Sequence, residues 1–149
     1  VAAGREADPM SLTIRNQLTG TITDITEGAV MSTVLIALPG EQNVTAAVTL
    51  DAIKELDLSV GSTVEILVKS TEVALSTGSL SGLSIRNQLH GTVSSLETGG
   101  AMAVAHITLD NGGKLTSAIT LAAATDLGLA AGSPVTALIK STEVALAAG

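Results

Sequence analysis

Two short strings hold most of the cationic chemistry in this chain. "KSTEVAL" occupies residues 69–75 and again 140–146, and "IRNQL" occupies 14–18 and again 85–89. Together they duplicate Arg15 with Arg86, Asn16 with Asn87, Lys69 with Lys140, Ser70 with Ser141 and Thr71 with Thr142. Thr13 and Ser84 add a hydroxyl two positions before each arginine, and Thr49 and Thr120 precede a stretch with helical spacing. Four of the seven Lys and Arg residues sit in these strings. Guanidinium and ammonium groups supply charge, hydroxyls and backbone N–H groups supply directional bonds, and a helix start adds a favourable dipole. A polyoxyanion needs this inventory. The competing structural reading pairs Arg15 with Glu72 and lets Ser-Thr simply turn a β-bend; the residues alone leave both open.

Other chemistries find less support. The histidines, His90 and His106, face Thr19 and Leu35 at the matching places, so neither repeats. A duplicated metal site should duplicate its ligands, and no carboxylate cluster has calcium-loop spacing. The expectation is no metal-ion site and no cofactor. Ser and Thr are plentiful, but no duplicated base accompanies them. Neither G-x-x-x-x-G-K-[ST] nor G-x-G-x-x-G occurs. The sequence reads as a binding protein and not as an enzyme.

These residues are positioned by a duplicated unit. Both strings recur at an offset of 71 residues, and Gly20/Gly91, Met31/Met102, Leu50/Leu121, Leu56/Leu127 and Gly61/Gly132 match without a gap. Repeats of this length are small domains rather than solenoid units. The organisation expected is one domain over residues 11–76, a linker over 77–82 ("TGSLSG") and a second domain over 83–148. Residues 1–10 match neither repeat and lack a basic start followed by an apolar block, so they are no secretory signal. They read as an unstructured leader or an expression remnant, with Met10 as the natural start.

Within one repeat, 13–25 reads as a long strand, 26–28 as a turn and 29–38 as a second strand. "PGEQN" and "DNGG" read as hairpin turns, and 44–50 alternates as a third strand. At 51–58 the apolar period changes to that of a short helix, capped by Thr49 or Asp51. A fourth strand follows, and "KSTEVAL" closes the repeat as a bend and fifth strand. The fold class is all-β: two tandem OB-like five-stranded barrels, each with one short helix.

Composition limits the partners. The chain has no Cys and no Phe, Tyr or Trp, so its core is aliphatic and unstapled. With 46% hydrophobic and 14% charged residues it carries more apolar surface than two small domains hide easily, and self-association is the natural outlet. A net charge of −7 and the missing aromatic stacking platforms argue against nucleic acid. No apolar run reaches transmembrane length, which leaves the cytoplasm as the expected compartment.

"TIRNQLTGTI" and "SIRNQLHGTV" resemble the S-A-R-N-Q-[LF]-x-G-[TK]-[VI] opening of the Mop, or molbindin, domain family. "VTLDAIKELDLSVGSTVEILVKSTEVAL" resembles that family's second half, which closes on K-[AS]-[ST]-[ED]-V. The match covers both repeats, from about residue 11 to 146, and the tandem pair is similar to the di-Mop molbindins, which bind molybdate and tungstate in the cytoplasm. The resemblance implies a homotrimer with oxyanion sites where Mop domains meet. Carried over, Thr13, Arg15, Lys69 and Ser70 would contribute from the first repeat, with Thr49 reaching in from a neighbouring domain. Ser84, Arg86, Lys140, Ser141 and Thr120 are the second-repeat equivalents. The family's small residue before Arg is Ile14 and Ile85 here, and its L-G-L is "LDL" in the first repeat; neither departure removes a donor. The function implied is reversible molybdate or tungstate binding for intracellular molybdenum storage or homeostasis. Its alternative is the molybdate-sensing part of a transcription regulator or of a transporter ATPase, present as a fragment.

Overall fold

The computed structural model describes residues 11–78 and 80–149. The leader expected at 1–10 and Ser79 of the linker lie outside the described residues. Among the described residues ten strands and two short helices follow one another in two matching series. The first is β1 (Asn16–Glu27), β2 (Met31–Ala37), β3 (Asn43–Thr49), α1 (Leu50–Glu55), β4 (Thr63–Val68) and β5 (Ala74–Ser76). The second is β6 (Asn87–Thr98), β7 (Met102–Leu109), β8 (Lys114–Thr120), α2 (Leu121–Asp126), β9 (Pro134–Ile139) and β10 (Ala145–Ala148). The expected all-β pair of OB-like five-stranded units is present, each with its short helix between the third and fourth strands. Among the described residues no helix is long and apolar enough to cross a membrane.

The strands obey a period of two. β7 alternates exposed or half-buried with buried positions from Met102 to Leu109, which puts Ala103, Ala105, Ile107 and Leu109 inside. β1 and β6 each skip register once against their antiparallel neighbour, between Ile22 and Asp24 and between Val93 and Ser95. Such bulges increase local twist and help a long strand curl across a small sheet. Gly20 and Gly91 allow the neighbouring strand to approach closely. A Cβ at Gly20 would sit 2.5 Å from Ile36 Cγ2, and one at Gly91 would sit 2.6 Å from the Thr108 carbonyl oxygen.

The sheets do not respect the repeat boundary. One runs β10-β4-β1-β2-β3 and the other β5-β9-β6-β7-β8. Each therefore takes four strands from one repeat and its fifth from the other: Ala145–Ala148 pairs with β4, and Ala74–Ser76 pairs with β9. A single apolar cluster runs through both halves, from Ile22, Val34 and Ile66 to Leu89, Ile107 and Ile139. The hairpin tips also meet, where Asn111 Nδ2 donates to the Pro39 carbonyl at 2.8 Å.

The helices start as their sequence dictates. Thr49 and Thr120 are the N-caps, each accepting through Oγ1 from the backbone N–H three residues on, at 3.1 Å. Asp51 lies inside the first turn.

Candidate functional site

Arg15 and Arg86 lie immediately ahead of β1 and β6 rather than within them. The cause is local. Gln17 Nε2 donates to the Ile14 carbonyl at 3.0 Å, and Gln88 Nε2 to the Ile85 carbonyl at 3.1 Å. Arg15 itself donates through Nε to the Thr13 carbonyl at 3.2 Å and through Nη2 to the Leu12 carbonyl at 2.8 Å. Side chains take up the carbonyls of this segment that a ladder would have used, so the strand begins at Asn16.

Lys69 and Lys140 follow the fourth strand of their repeats. Each leads into a 3-10 turn, Ser70–Glu72 and Ser141–Glu143, closed by a bond from the glutamate N–H to the lysine carbonyl at 2.9 Å. The first N–H groups of such a turn have no partner within it and point outward. The turn thus adds backbone donors beside an exposed ammonium.

The structure gathers Thr13, Arg15, Lys69 and Ser70 along one open groove of about 270 Å³, together with Ile14 and Thr71. No carboxylate lines it, in a chain with twice as many acidic as basic residues. A second cavity of about 370 Å³ brings Thr120, Lys140 and Ile85 together with Thr71 and Glu72 of the first repeat and with Glu143. Thr49 lies elsewhere, in an apolar cavity of about 340 Å³ beside Val144, Ala145 and Leu146 of the second repeat. Ser84 and Arg86 are exposed and hold the positions equivalent to Thr13 and Arg15.

Two features mark these clusters. The first is uncompensated positive charge. Among the described residues the one salt bridge joins His106 to Glu97, and Arg15, Arg86, Lys69 and Lys140 pair with no carboxylate. The Arg15–Glu72 pair of the structural reading is not formed. The second is a pair of idle hydroxyls. Ser70 Oγ and Ser141 Oγ are buried without a hydrogen-bond partner, and a buried polar group left so costs about 1–3 kcal/mol. Ser32, Gln42 and Ser76 also carry such an atom, but their counterparts are Ala103, Gly113 and Ala147. Among the described residues only the serines of "KSTEVAL" are idle in both repeats.

Asn16 and Asn87 join the donor inventory in the sequence but not in the structure. Both are 2% exposed, and both spend their amides on the backbone of the opposite repeat. Asn16 Nδ2 donates to the Thr116 carbonyl at 2.9 Å while Oδ1 accepts from the Thr116 N–H at 2.7 Å. Asn87 does the same at Thr45, at 2.8 and 2.7 Å. Conversely, Thr71 stands outside the carried-over site residues, yet it lines both the groove and the second cavity. Its membership of the duplicated K-S-T string was the available signal.

His90 and His106 are strand residues, on β6 and β7. His90 Nδ1 lies 3.0 Å from Thr136 Oγ1, and His106 Nε2 lies 2.5 Å from Glu97 Oε2. No group of three or more metal-ligating side chains gathers among the described residues.

Each repeat matches the family model of the TOBE domain, over residues 12–75 and 83–146. The chain belongs to the TOBE-domain family, as a tandem Mop-domain protein. It is 37% identical over 139 residues to the molybdenum transport protein ModE of Herbaspirillum seropedicae, covering 93% of this chain and 52% of the relative. It is 37% identical over 134 residues to the molybdenum-pterin-binding protein MopA of Rhodobacter capsulatus, covering 89% of this chain and 51% of the relative. The chain thus spans about half the length of these curated relatives. A crystal structure of the cytoplasmic molybdate-binding protein ModG with molybdate bound has the same fold. The TM-score is 0.91 at 38% identity, over 94% of this chain and 100% of that one.

Proposed function

We propose that this chain binds molybdate or tungstate reversibly, without chemical change, at the duplicated Arg-Lys-Ser-Thr clusters, and that it serves molybdenum storage or homeostasis in the cytoplasm. The observation that carries the reading is the first groove. Its charged lining is Arg15 and Lys69, neither paired with a carboxylate, beside the idle hydroxyl of Ser70. In this reading the Ser70 hydroxyl finds its missing partner in the anion, by a change of χ1 rotamer. The ModG structure, with molybdate bound, supports the choice of anion.

A groove whose charged groups are all donors favours a fully deprotonated dianion. Protonated phosphate would bring an O–H that meets no carboxylate, only hydroxyls whose protons are needed for the anion's oxygens, a poorer match. Sulfate is equally deprotonated, so its exclusion rests on size. The site residues in this reading are Thr13, Arg15, Thr49, Lys69 and Ser70 with Ser84, Arg86, Thr120, Lys140 and Ser141. The family model's limits favour domains close to 11–76 and 83–148.

The assembly in this reading is a homotrimer. Met31, Leu56, Met102 and Leu127 are exposed apolar residues in matching pairs, between 38% and 47% exposed, and Met31 and Leu56 line the apolar cavity beside Thr49. Burying such surface between copies would bring cationic clusters together, and an anion between them would strengthen both binding and assembly. A second reading places the same sites in the sensing part of a longer regulator or transporter polypeptide. The half-length match to ModE favours it, and the full reading frame of the gene decides it.

Calorimetric titration with molybdate, beside sulfate and phosphate, tests the anion, and light scattering after size exclusion tests the trimer. Saturable heat for molybdate and little for the other two is expected. Equal heats for all three, or none on protein shown free of molybdenum, would sink the reading.

A further inference from the structure

We propose that Asn16 and Asn87 are positioning residues for the anion clusters, each fixing the arginine beside it by gripping the third strand of the opposite repeat; this rests on the oxyanion reading above.

The argument starts at the sheet edges. β3 and β8 are the outer strands of their sheets, and an outer strand leaves backbone N–H and C=O groups without a ladder partner. At Thr116 and Thr45 those two groups are taken by the side-chain amides of Asn16 and Asn87. Each amide copies a backbone pair, donating once and accepting once, and is buried while doing so. Arg15 and Arg86 are the adjacent residues, so each arginine starts from a backbone anchored to the other repeat.

The anchored strand then runs along the cluster it braces. One residue beyond Thr116, Ser117 Oγ donates to the Val73 carbonyl at 2.6 Å, directly after the Ser70–Glu72 turn. The same strand ends at Thr120, which shares a cavity with Thr71 and Glu72 of that turn. The first cluster is therefore held at Arg15 and at the Lys69-Ser70-Thr71 turn by one strand of the second repeat. In the mirror arrangement Asn87 grips Thr45, and the position equivalent to Ser117 is Ala46, which has no hydroxyl to offer. The second cluster has one side-chain tie where the first has two.

Molybdate titration of the chain and its Asn16→Ala and Asn87→Ala variants tests this, with thermal melting in parallel. Asn16→Ala should weaken by about tenfold the binding that Arg15→Ala also weakens, and leave the binding that depends on Arg86. Asn87→Ala should do the reverse, with the larger loss because its cluster lacks the second tie. A lower melting temperature with both classes of binding unchanged would make the asparagines structural staples only and overturn the proposal, as would equal weakening of both classes by either variant. If the alanine variants do not fold, Asn16→Ser keeps a neutral polar group at the site and loses the two-point amide pairing with Thr116. It should show the same selectivity at a few-fold, and wild-type affinity in that variant would also overturn the proposal. Failure of the unmodified chain to take up molybdate is a different outcome, which removes the oxyanion reading and this proposal together.

Discussion

The two donor clusters are near-copies in sequence and differ in how they are held. Arg15 is pinned by the Thr13 and Leu12 carbonyls, whereas Arg86 makes no such bond among the described residues. The first turn is tied to β8 through Ser117, and the second meets Ala46 at the equivalent place. The surroundings differ as well. Residues 11–76 carry eight Asp and Glu against three Lys and Arg, and residues 83–148 carry four against three. The first cluster is thus better organised before an anion arrives, and no carboxylate lines its groove although its repeat is the more acidic. The second must order its arginine on binding, and its cavity is also lined by Glu72 and Glu143.

The largest expected effect removes the shared part. Arg15→Ala with Lys69→Ala, and Arg86→Ala with Lys140→Ala, should each weaken their own class of molybdate sites on the order of hundredfold, since charge-assisted bonds contribute about 1.5–3 kcal/mol each. Calorimetric stoichiometry checks this, and an unchanged number of sites in either double variant contradicts the assignment.

Exchanging arginine for lysine sharpens the contrast. Arg15→Lys gives up a fork already shaped by two carbonyls and should cost about tenfold in affinity, whereas Arg86→Lys should cost only a few-fold. Equal losses at the two positions would mean that the pinning of Arg15 does not matter to binding.

Ser70→Ala and Ser141→Ala separate binding from stability. Removing an idle buried hydroxyl should leave the anion-free melting temperature unchanged or raise it, by at most about 1 kcal/mol of stability. The same changes should weaken molybdate binding by a few-fold to about tenfold. A marked loss of stability without anion would show that these hydroxyls are already partnered.

The smallest effect belongs to the tie itself. Ser117→Ala loses one buried bond and should cost about 1 kcal/mol of stability, and Ala46→Ser tests whether the missing tie can be restored in the other half. Denaturant melts resolve both changes.

Local rules made much of this visible in the sequence. The period of two placed the long strands, Thr49 and Thr120 capped their helices as their position required, and the matched strings pointed to four cations that pair with no carboxylate. What stayed hidden depends on contacts between distant segments. "EVAL" reads as a strand in either repeat, but nothing in its alternation says that it will join the other repeat's sheet. Asn16 and Asn87 carry donors, and only the meeting of β1 with β8 and of β6 with β3 shows those donors spent on backbone. The strand expected from residue 13 begins at Asn16 because Arg15 and Gln17 occupy the preceding carbonyls, a competition that propensity does not register.

The central claim is that the four cations of the duplicated strings, none of them paired with a carboxylate, take up molybdate. Equilibrium dialysis of the full chain against molybdate, with bound molybdenum measured by elemental analysis, tests it most directly beside the variant in which Arg15, Lys69, Arg86 and Lys140 are all alanine. Saturable uptake by the unmodified chain and none above background by a folded variant is the predicted result. Equal uptake by the two would place the anion elsewhere on the molecule and contradict the account.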